Sequence, residues 1–525
     1  MAINEILDVL MFATLCAAIL LGFPVAFTVA GVSLIFAMLG TWFGVFNFGI
    51  LSAFPQRIFG IMTNQILIAV PLFIFMGVML ERSRVAEQLL DAMALLFGRL
   101  RGGLGISVCV VGALMAASTG IVGATVVTMG LLALPTMLRR GYSPSLSTGM
   151  ISAAGTLGQI IPPSIVLIIL GDVMSTAYQR AQLEQGIFAP ETVSVGDLFA
   201  GALIPGLCLV GLYILYQLAM SLISPDSSPA LRDEDIPPEA EGRILAYALK
   251  AVFPPLILIV AVLGSILGGI ATPTEAASVG AVGSILLAGY YTNPNRALPV
   301  LLAALSLIGL LVLSATMDLR VGRVLVSPAE TAGGVLAILF CAVAAWGLID
   351  SLRRCWRGDI LTPVIRSTTQ LTSMVFLILV GAALFTVVFR GLGGDDSVRA
   401  FLEAMPGGQT GAIITVMAVL FLLGFFLDFI EITLVVVPIV APALLIMGVD
   451  PIWLAIMIAV NLQTSFLTPP FGFALFYLRG VMPPEVRTID LYKGVTPFVL
   501  IQLVSLGLLA AFPALATWLP KVLFG

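Results

Sequence analysis

The chain has 525 residues, of which 60% are hydrophobic and 10% charged, a balance too apolar for a soluble fold of ordinary composition and one that reads as a polytopic helical membrane protein. Long apolar runs in place of short alternating strands argue against a transmembrane β-barrel, and a formal charge of −4 argues against a nucleic-acid partner. With no histidine in the sequence, Ser-His catalysis is excluded, and the usual proton shuttle and metal ligand are missing.

The amino terminus, Met1-Ala2-Ile3-Asn4-Glu5, lacks the basic start of a cleavable signal and runs directly into an apolar region, so it reads as a retained first span. Apolar runs of spanning length follow at about 7–40 (two helices divided near Gly22 and Pro24), 62–80, 198–223, 247–270, 274–291, 298–315, 333–350, 371–389 and 494–518. The five cysteines, Cys16, Cys109, Cys208, Cys341 and Cys355, are odd in number and mostly inside apolar runs, a pattern of small hydrophobes with no disulfide or metal site. The only long aqueous stretch, Ser224 to Arg243, carries six carboxylates among prolines and reads as a linker between two halves, 1–223 and 247–525, with 224–246 between them.

The halves share their punctuation. Pro135, Gly141, Pro144, Pro162 and Pro163 recur as Pro442, Gly448, Pro451, Pro469 and Pro470, each 307 positions further on (442 − 135, 470 − 163). Proline and glycine determine where helices start, stop and break, so the shared pattern means a shared backbone path. The connector after Pro135 contains Arg139 and Arg140, whereas its counterpart, Leu444 to Pro451, has no cation. Short arginine-bearing loops stay cytoplasmic, so the two copies are inverted. Inverted repeats with irregular helices at matching positions mark secondary transporters, whose sites lie at those irregularities.

Residues 102 to 138 number 37, too many for one crossing and too few for two with a turn, yet Arg101 and Arg139 bracket both ends. The segment is expected to be a re-entrant hairpin with its tip at Ser118 to Gly123, which requires protein or a water-filled cavity around the tip. A matching hairpin is expected at about 411–447, with its tip near Asp428 to Glu431. Each hairpin precedes a crossing broken by a Pro-Pro pair, Gly155 to Ser164 and Asn461 to Pro470. Two prolines remove two backbone donors and open the helix, freeing carbonyls as ligands.

Oxygen ligands and the negative ends of half-helices suit Na+, while free N–H groups suit a carboxylate. Ser118, Thr119, Thr156, Gln159, Asn461, Gln463, Thr464, Ser465 and Thr468 supply hydroxyl and amide oxygens at these places; the alternative is that such residues are hydrogen-bond glue between helices. Asp428 and Glu431 are ionisable groups in apolar context: either one of them faces a cavity, or they are structural carboxylates closing the hairpin tip. Thr156, Gln159, Asn461, Gln463 and Asp428 are the candidate substrate-contacting set. Asp172, at the end of a crossing, reads as an interfacial anchor, and Thr272-Pro273-Thr274-Glu275 as a helix capping box.

These residues resemble the large membrane subunit of tripartite ATP-independent periplasmic (TRAP) transporters, the DctM-like family. The resembling stretches are Pro71 to Gly77, Gly98 to Leu104, Gly141-Tyr142, Gly155 to Gly158 with Ile161 to Ser164, Ala271 to Ala277, Gly448 to Pro451 and Leu467 to Gly472, in the family's order across most of the chain. The resemblance implies a bacterial inner-membrane, Na+-driven importer of small organic acids, not an enzyme, working by an elevator motion with Na+ as coupling ion and no organic cofactor. It implies two partners, a small membrane subunit and a periplasmic substrate-binding protein. It places sodium ligands at Ser118, Thr119 and Gly120 with Gly155 and Gly158, and at Thr464, Ser465 and Thr468. Two departures stand out: Ser118-Thr119-Gly120 replaces the family's Gly-Ser-Ser tip, and the stretch from about Tyr291 to Arg357 is longer than in shorter members, an expected extra helix pair at about 292–357. The rival readings are a passive channel, which needs no pair of symmetric broken-helix sites, and an intramembrane aspartyl protease, whose paired motif Asp172 and Asp428 do not provide.

Overall fold

In a computed structural model the chain is described for residues 3–230, 244–318 and 328–525, without the side chains of Ser118 and Thr119; most of the acidic linker, 231–243, lies outside the described residues. Every regular element among the described residues is helical: α1 (Ile3–Leu20), α2 (Val25–Trp42), α3 (Phe54–Thr63), α4 (Ala69–Arg82), α5 (Val85–Phe97), α6 (Gly103–Thr119), α7 (Val122–Arg139), α8 (Pro144–Thr156), α9 (Ile165–Glu184), α10 (Val195–Ile223), α11 (Ile244–Leu267), α12 (Pro273–Thr292), α13 (Leu298–Thr316), α14 (Pro328–Arg357), α15 (Leu361–Gly391), α16 (Gly394–Glu403), α17 (Gly408–Leu423), α18 (Phe429–Val435), α19 (Val437–Ile446), α20 (Pro451–Leu467), α21 (Phe473–Arg479), α22 (Thr488–Ala511) and α23 (Ala514–Phe524). Nine of them among the described residues are long and apolar enough to cross a membrane.

The protein is an all-α polytopic membrane protein built as two inverted repeats. Shifting α6, α7 and α8 by 307 positions superposes them in sequence on α17, on α18 with α19, and on α20. The matching punctuation does matching work. Gly141 and Gly448 both turn with positive φ, 80° and 89°, a conformation glycine reaches without a Cβ clash. Two residues later a side chain caps the next helix: Ser143 Oγ accepts from Leu146 N at 3.2 Å, and Asp450 Oδ1 accepts from Trp453 N at 2.9 Å. Pro144 and Pro451 then occupy the first helical positions, where a missing N–H costs nothing.

α6 and α7 form the first hairpin, and α17 with the bent pair α18–α19 forms the second; the bend between α18 and α19 is 56°. Both ends of the first hairpin lie together, because the Tyr142 hydroxyl accepts from Leu104 N at 3.2 Å. The hairpins pack with the broken crossings α8–α9 and α20–α21 and with α10, α22 and α23 as an inner group, while α1, α2, α4, α11, α12 and α15 pack as an outer group. α13 and α14 lie mostly against each other and α12, at the periphery of the outer group. The short helices α5 and α16 join the outer helices α4 and α15 to the two hairpins. At Thr272 the capping box closes on itself: Thr272 N donates to Glu275 Oε2 at 2.8 Å and Glu275 N donates to Thr272 Oγ1 at 3.3 Å.

Candidate functional site

The two hairpin tips and the two helix breaks converge. Between them lies a cavity of about 120 Å³. The first tip contributes Gly120 to Gly123, the second Asp428 to Ile430, the first break Gln159 and Ile165, and the second Phe466, Phe473 and Tyr477; α15 closes it with Leu371, Met374 and Val375. Of the candidate substrate-contacting residues, Gln159 and Asp428 line this cavity. Gln159 is buried, and its Oε1 has no hydrogen-bond partner. Its backbone carbonyl accepts from Ser164 Oγ at 3.0 Å across the break. Tyr477 of α21 and Met374 of α15, which sequence reasoning did not single out, also line it; an isolated Tyr in an apolar run is the only signal that points to either.

Asp428 and Glu431 act together at the second tip. Glu431 Oε2 accepts the Asp428 N–H at 3.0 Å in a capping box whose N-cap is Asp428, so both carboxylates close the tip, and Asp428 also lines the cavity. Asp172 accepts from Asn64 Nδ2 at 2.9 Å, joining α9 of the inner group to the segment between α3 and α4.

The second break holds a cluster of uncharged oxygens. Thr464 Oγ1 donates to Val460 O at 2.8 Å and Thr468 Oγ1 to Thr464 O at 2.7 Å, which leaves their lone pairs as acceptors. Ser465 is fully buried, and its Oγ has no partner, an arrangement that costs about 1–3 kcal/mol for a hydroxyl left unsatisfied. It lies against the second hairpin at Gly424, where an added Cβ would come within 2.1 Å of Ser465 Oγ. Around the first break Gly155 packs on Val126 and Gly158 on Ala116, both in the first hairpin. The side chains of Ser118 and Thr119 lie outside the described residues; the Gly120 N–H at the tip donates to Ala116 O at 3.0 Å.

Thr156, Asn461 and Gln463 sit apart from the cavity, in the contacts where the crossings meet. Thr156 and Gln463 are 307 positions apart and touch, Gln463 Nε2 lying 3.4 Å from Thr156 Oγ1; a residue that meets its own repeat counterpart lies on the axis relating the two copies. Gln502 Nε2 lies 3.4 Å from the same hydroxyl and donates to the Tyr213 hydroxyl at 2.7 Å. Asn461 Nδ2 donates to Met417 O at 2.8 Å, fastening α20 to α17. Gln502 and Tyr213 are not legible as site residues, since each lies within an apolar run and acquires its partner only through the fold.

The chain matches the family described as "Tripartite ATP-independent periplasmic transporter, DctM component" over residues 12–515. It is 27% identical to the C4-dicarboxylate TRAP transporter large permease protein DctM of Vibrio cholerae, covering 98% of each chain. It is 26% identical to the ectoine TRAP transporter large permease protein TeaC of Halomonas elongata, covering 98% of this chain and 99% of that one. Its fold is similar to the crystal structure of the Alcanivorax borkumensis YdaH transporter, with a TM-score of 0.52 at 15% identity over 90% of this chain and 88% of that chain. A match across nearly the whole sequence, on a helical bundle of inverted repeats, makes this multi-pass bacterial inner-membrane protein a member of the tripartite ATP-independent periplasmic transporter DctM-component family.

Proposed function

We propose that the chain is the large transmembrane subunit of a Na+-coupled secondary transporter that imports small organic acids by an elevator motion. The substrate is delivered by a periplasmic binding protein, and a small membrane subunit completes the assembly. The observation that carries this reading is the oxygen cluster at the second break. Ser465 Oγ is buried without a partner beside Gly424, and Thr464 and Thr468 present further hydroxyl oxygens on the same turns. Uncharged oxygens at an opened helix suit an alkali cation, and a bound Na+ relieves the unsatisfied hydroxyl. The cavity beside the cluster, between both tips and both breaks, is the place for the substrate, with Gln159 Nε2 as a donor to a carboxylate and Asp428 as a second cation-attracting group. The outer and inner groups meet along α4, α9 and α15, the surface across which the inner group, with both hairpins, would slide.

The V. cholerae relative is named for C4-dicarboxylates and the H. elongata relative for ectoine, so small carboxylates are the substrate class proposed here. Proteoliposomes containing the large subunit, the small subunit and the binding protein are expected to lose uptake when Na+ is replaced by K+. Undiminished uptake in K+, driven by a proton gradient, refutes the coupling.

A further inference from the structure

A second cavity, of about 180 Å³, continues the cleft between the outer and inner groups beyond the hairpin tips. It is built from the same elements as the central cavity, a few turns further along. α9 supplies Val166 to the first and Asp172, Thr176 and Arg180 to the second; α15 supplies Val375 to the first and Thr386 and Arg390 to the second. Val166 and Arg180 are 14 residues apart, about 21 Å along a helix.

This cavity opens on the periplasmic face. α8 starts at Pro144 beside the cytoplasmic Arg139 and Arg140 and runs inward to the break, so the carboxyl end of α9 reaches the opposite surface. Three arginines nevertheless gather there, Arg57 from α3, Arg180 from α9 and Arg390 from α15. Asp395, on α16, pairs with both Arg180 and Arg390, the latter at 3.1 Å, and Glu184 pairs with Arg180 at 2.9 Å. These carboxylates hold the two guanidinium groups in place without exhausting them: Arg180 Nη1 is buried with no hydrogen-bond partner. Arg57 is exposed, and among the described residues it makes no ion pair. Asp172 is the only carboxylate among the residues lining the cavity, and it accepts from Asn64.

Guanidinium groups that line a small cleft, two of them held by carboxylates, offer the planar fork geometry that binds carboxylates. We propose that Arg57, Arg180 and Arg390 form a capture site for a carboxylate-bearing anion at the periplasmic mouth of the cleft, ahead of the central cavity. The assignment rests on the transport reading above for its place on a substrate path, and on the arginine cluster alone for its ligand class. On the opposite, cytoplasmic side of the same interface, α4 carries Glu81, which accepts from Thr128 Oγ1 of the first hairpin at 3.0 Å.

The test needs no transport, so its failure is separate from a failure of Na+-coupled uptake. In the purified full-length chain with Thr176→Cys, the rates at which the introduced thiol reacts with anionic sulfonatoethyl methanethiosulfonate and cationic trimethylammonioethyl methanethiosulfonate are measured by mass spectrometry. The anionic reagent is expected to be favoured. Arg57→Gln should lower the anion-to-cation rate ratio at least about threefold and Arg390→Gln about tenfold, because one lost charge acts with opposite sign on the two reagents. Arg57→Gln removes an exposed side chain that makes no ion pair among the described residues and keeps the test sound if Arg390→Gln misfolds. Sodium succinate, against sodium chloride at equal ionic strength, should slow both reagents in the parent and lose that effect in Arg390→Gln. Equal ratios in the parent and both variants, or no protection by succinate, overturn the assignment.

Discussion

Ser465→Ala separates an ion ligand from a packing residue by the sign of its effect. Ser465 is fully buried with an unpartnered hydroxyl, so without Na+ the folded protein carries a desolvation penalty of about 1–3 kcal/mol at this atom. Alanine removes the penalty and keeps the Cβ, and the Na+-free variant is expected to be more stable than the parent by roughly 1 kcal/mol once the lost contacts of the oxygen are subtracted. With Na+ the order reverses. A site filled at a hundred times its dissociation constant contributes about 2.7 kcal/mol to the parent, and a variant lacking a ligand oxygen loses most of it. Thermal melts of the purified protein in K+ and in Na+ are therefore expected to cross: the variant melts higher in K+, the parent higher in Na+. Thr468→Ala gives the contrasting pattern. Its hydroxyl already donates to Thr464 O at 2.7 Å, so its loss costs about 0.6 kcal/mol in K+ and again removes Na+ stabilisation. A Ser465→Ala protein that is destabilised in K+, or that keeps the parent's full response to Na+, refutes the argument and returns this hydroxyl to helix packing.

Gly424→Ala would bring a methyl within 2.1 Å of Ser465 Oγ and 3.0 Å of Ser465 Cβ, costing about 1–3 kcal/mol by overpacking; adding Ser465→Ala should recover part of that loss, and strictly additive melting shifts would show that the two residues do not touch. Gln502→Leu strips the Tyr213 hydroxyl and Thr156 of their shared amide and should cost about 1–3 kcal/mol in K+ and Na+ alike, because this cluster fastens the crossing helices and lies apart from the oxygens proposed to hold Na+; a selective loss of the Na+ response would place it in the proposed ion site. Single cysteines beside Arg101 and Arg139 should both label from the cytoplasm and one beside Asp450 from the periplasm, since Tyr142 ties the two ends of the first hairpin together at 3.2 Å; opposite accessibility of the first two would make the segment an ordinary crossing.

The features legible in the sequence are those set by short-range backbone chemistry. Pro162-Pro163 and Pro469-Pro470 remove donors wherever they stand, Gly141 and Gly448 permit a left-handed turn, and Ser143 and Asp450 cap the residues that follow. None of these needs a partner distant in the chain, which is why the repeat, the hairpins and the breaks could be read off 525 letters. The arginine asymmetry of two connectors was enough to orient the copies. What the sequence left undecided was which oxygen meets which. Asn461, Gln463, Ser465 and Thr468 look equivalent as polar residues on one helix, yet α17 turns Asn461 into a helix clamp and the repeat axis brings Gln463 onto Thr156. Gly424 leaves Ser465 without a partner. Arg57, Arg180 and Arg390 stand 123 and 210 positions apart (180 − 57, 390 − 180), each unremarkable in its own segment. Their convergence on one cleft depends on how α3, α9 and α15 pack, a matter of tertiary contacts between distant segments that no local pattern encodes.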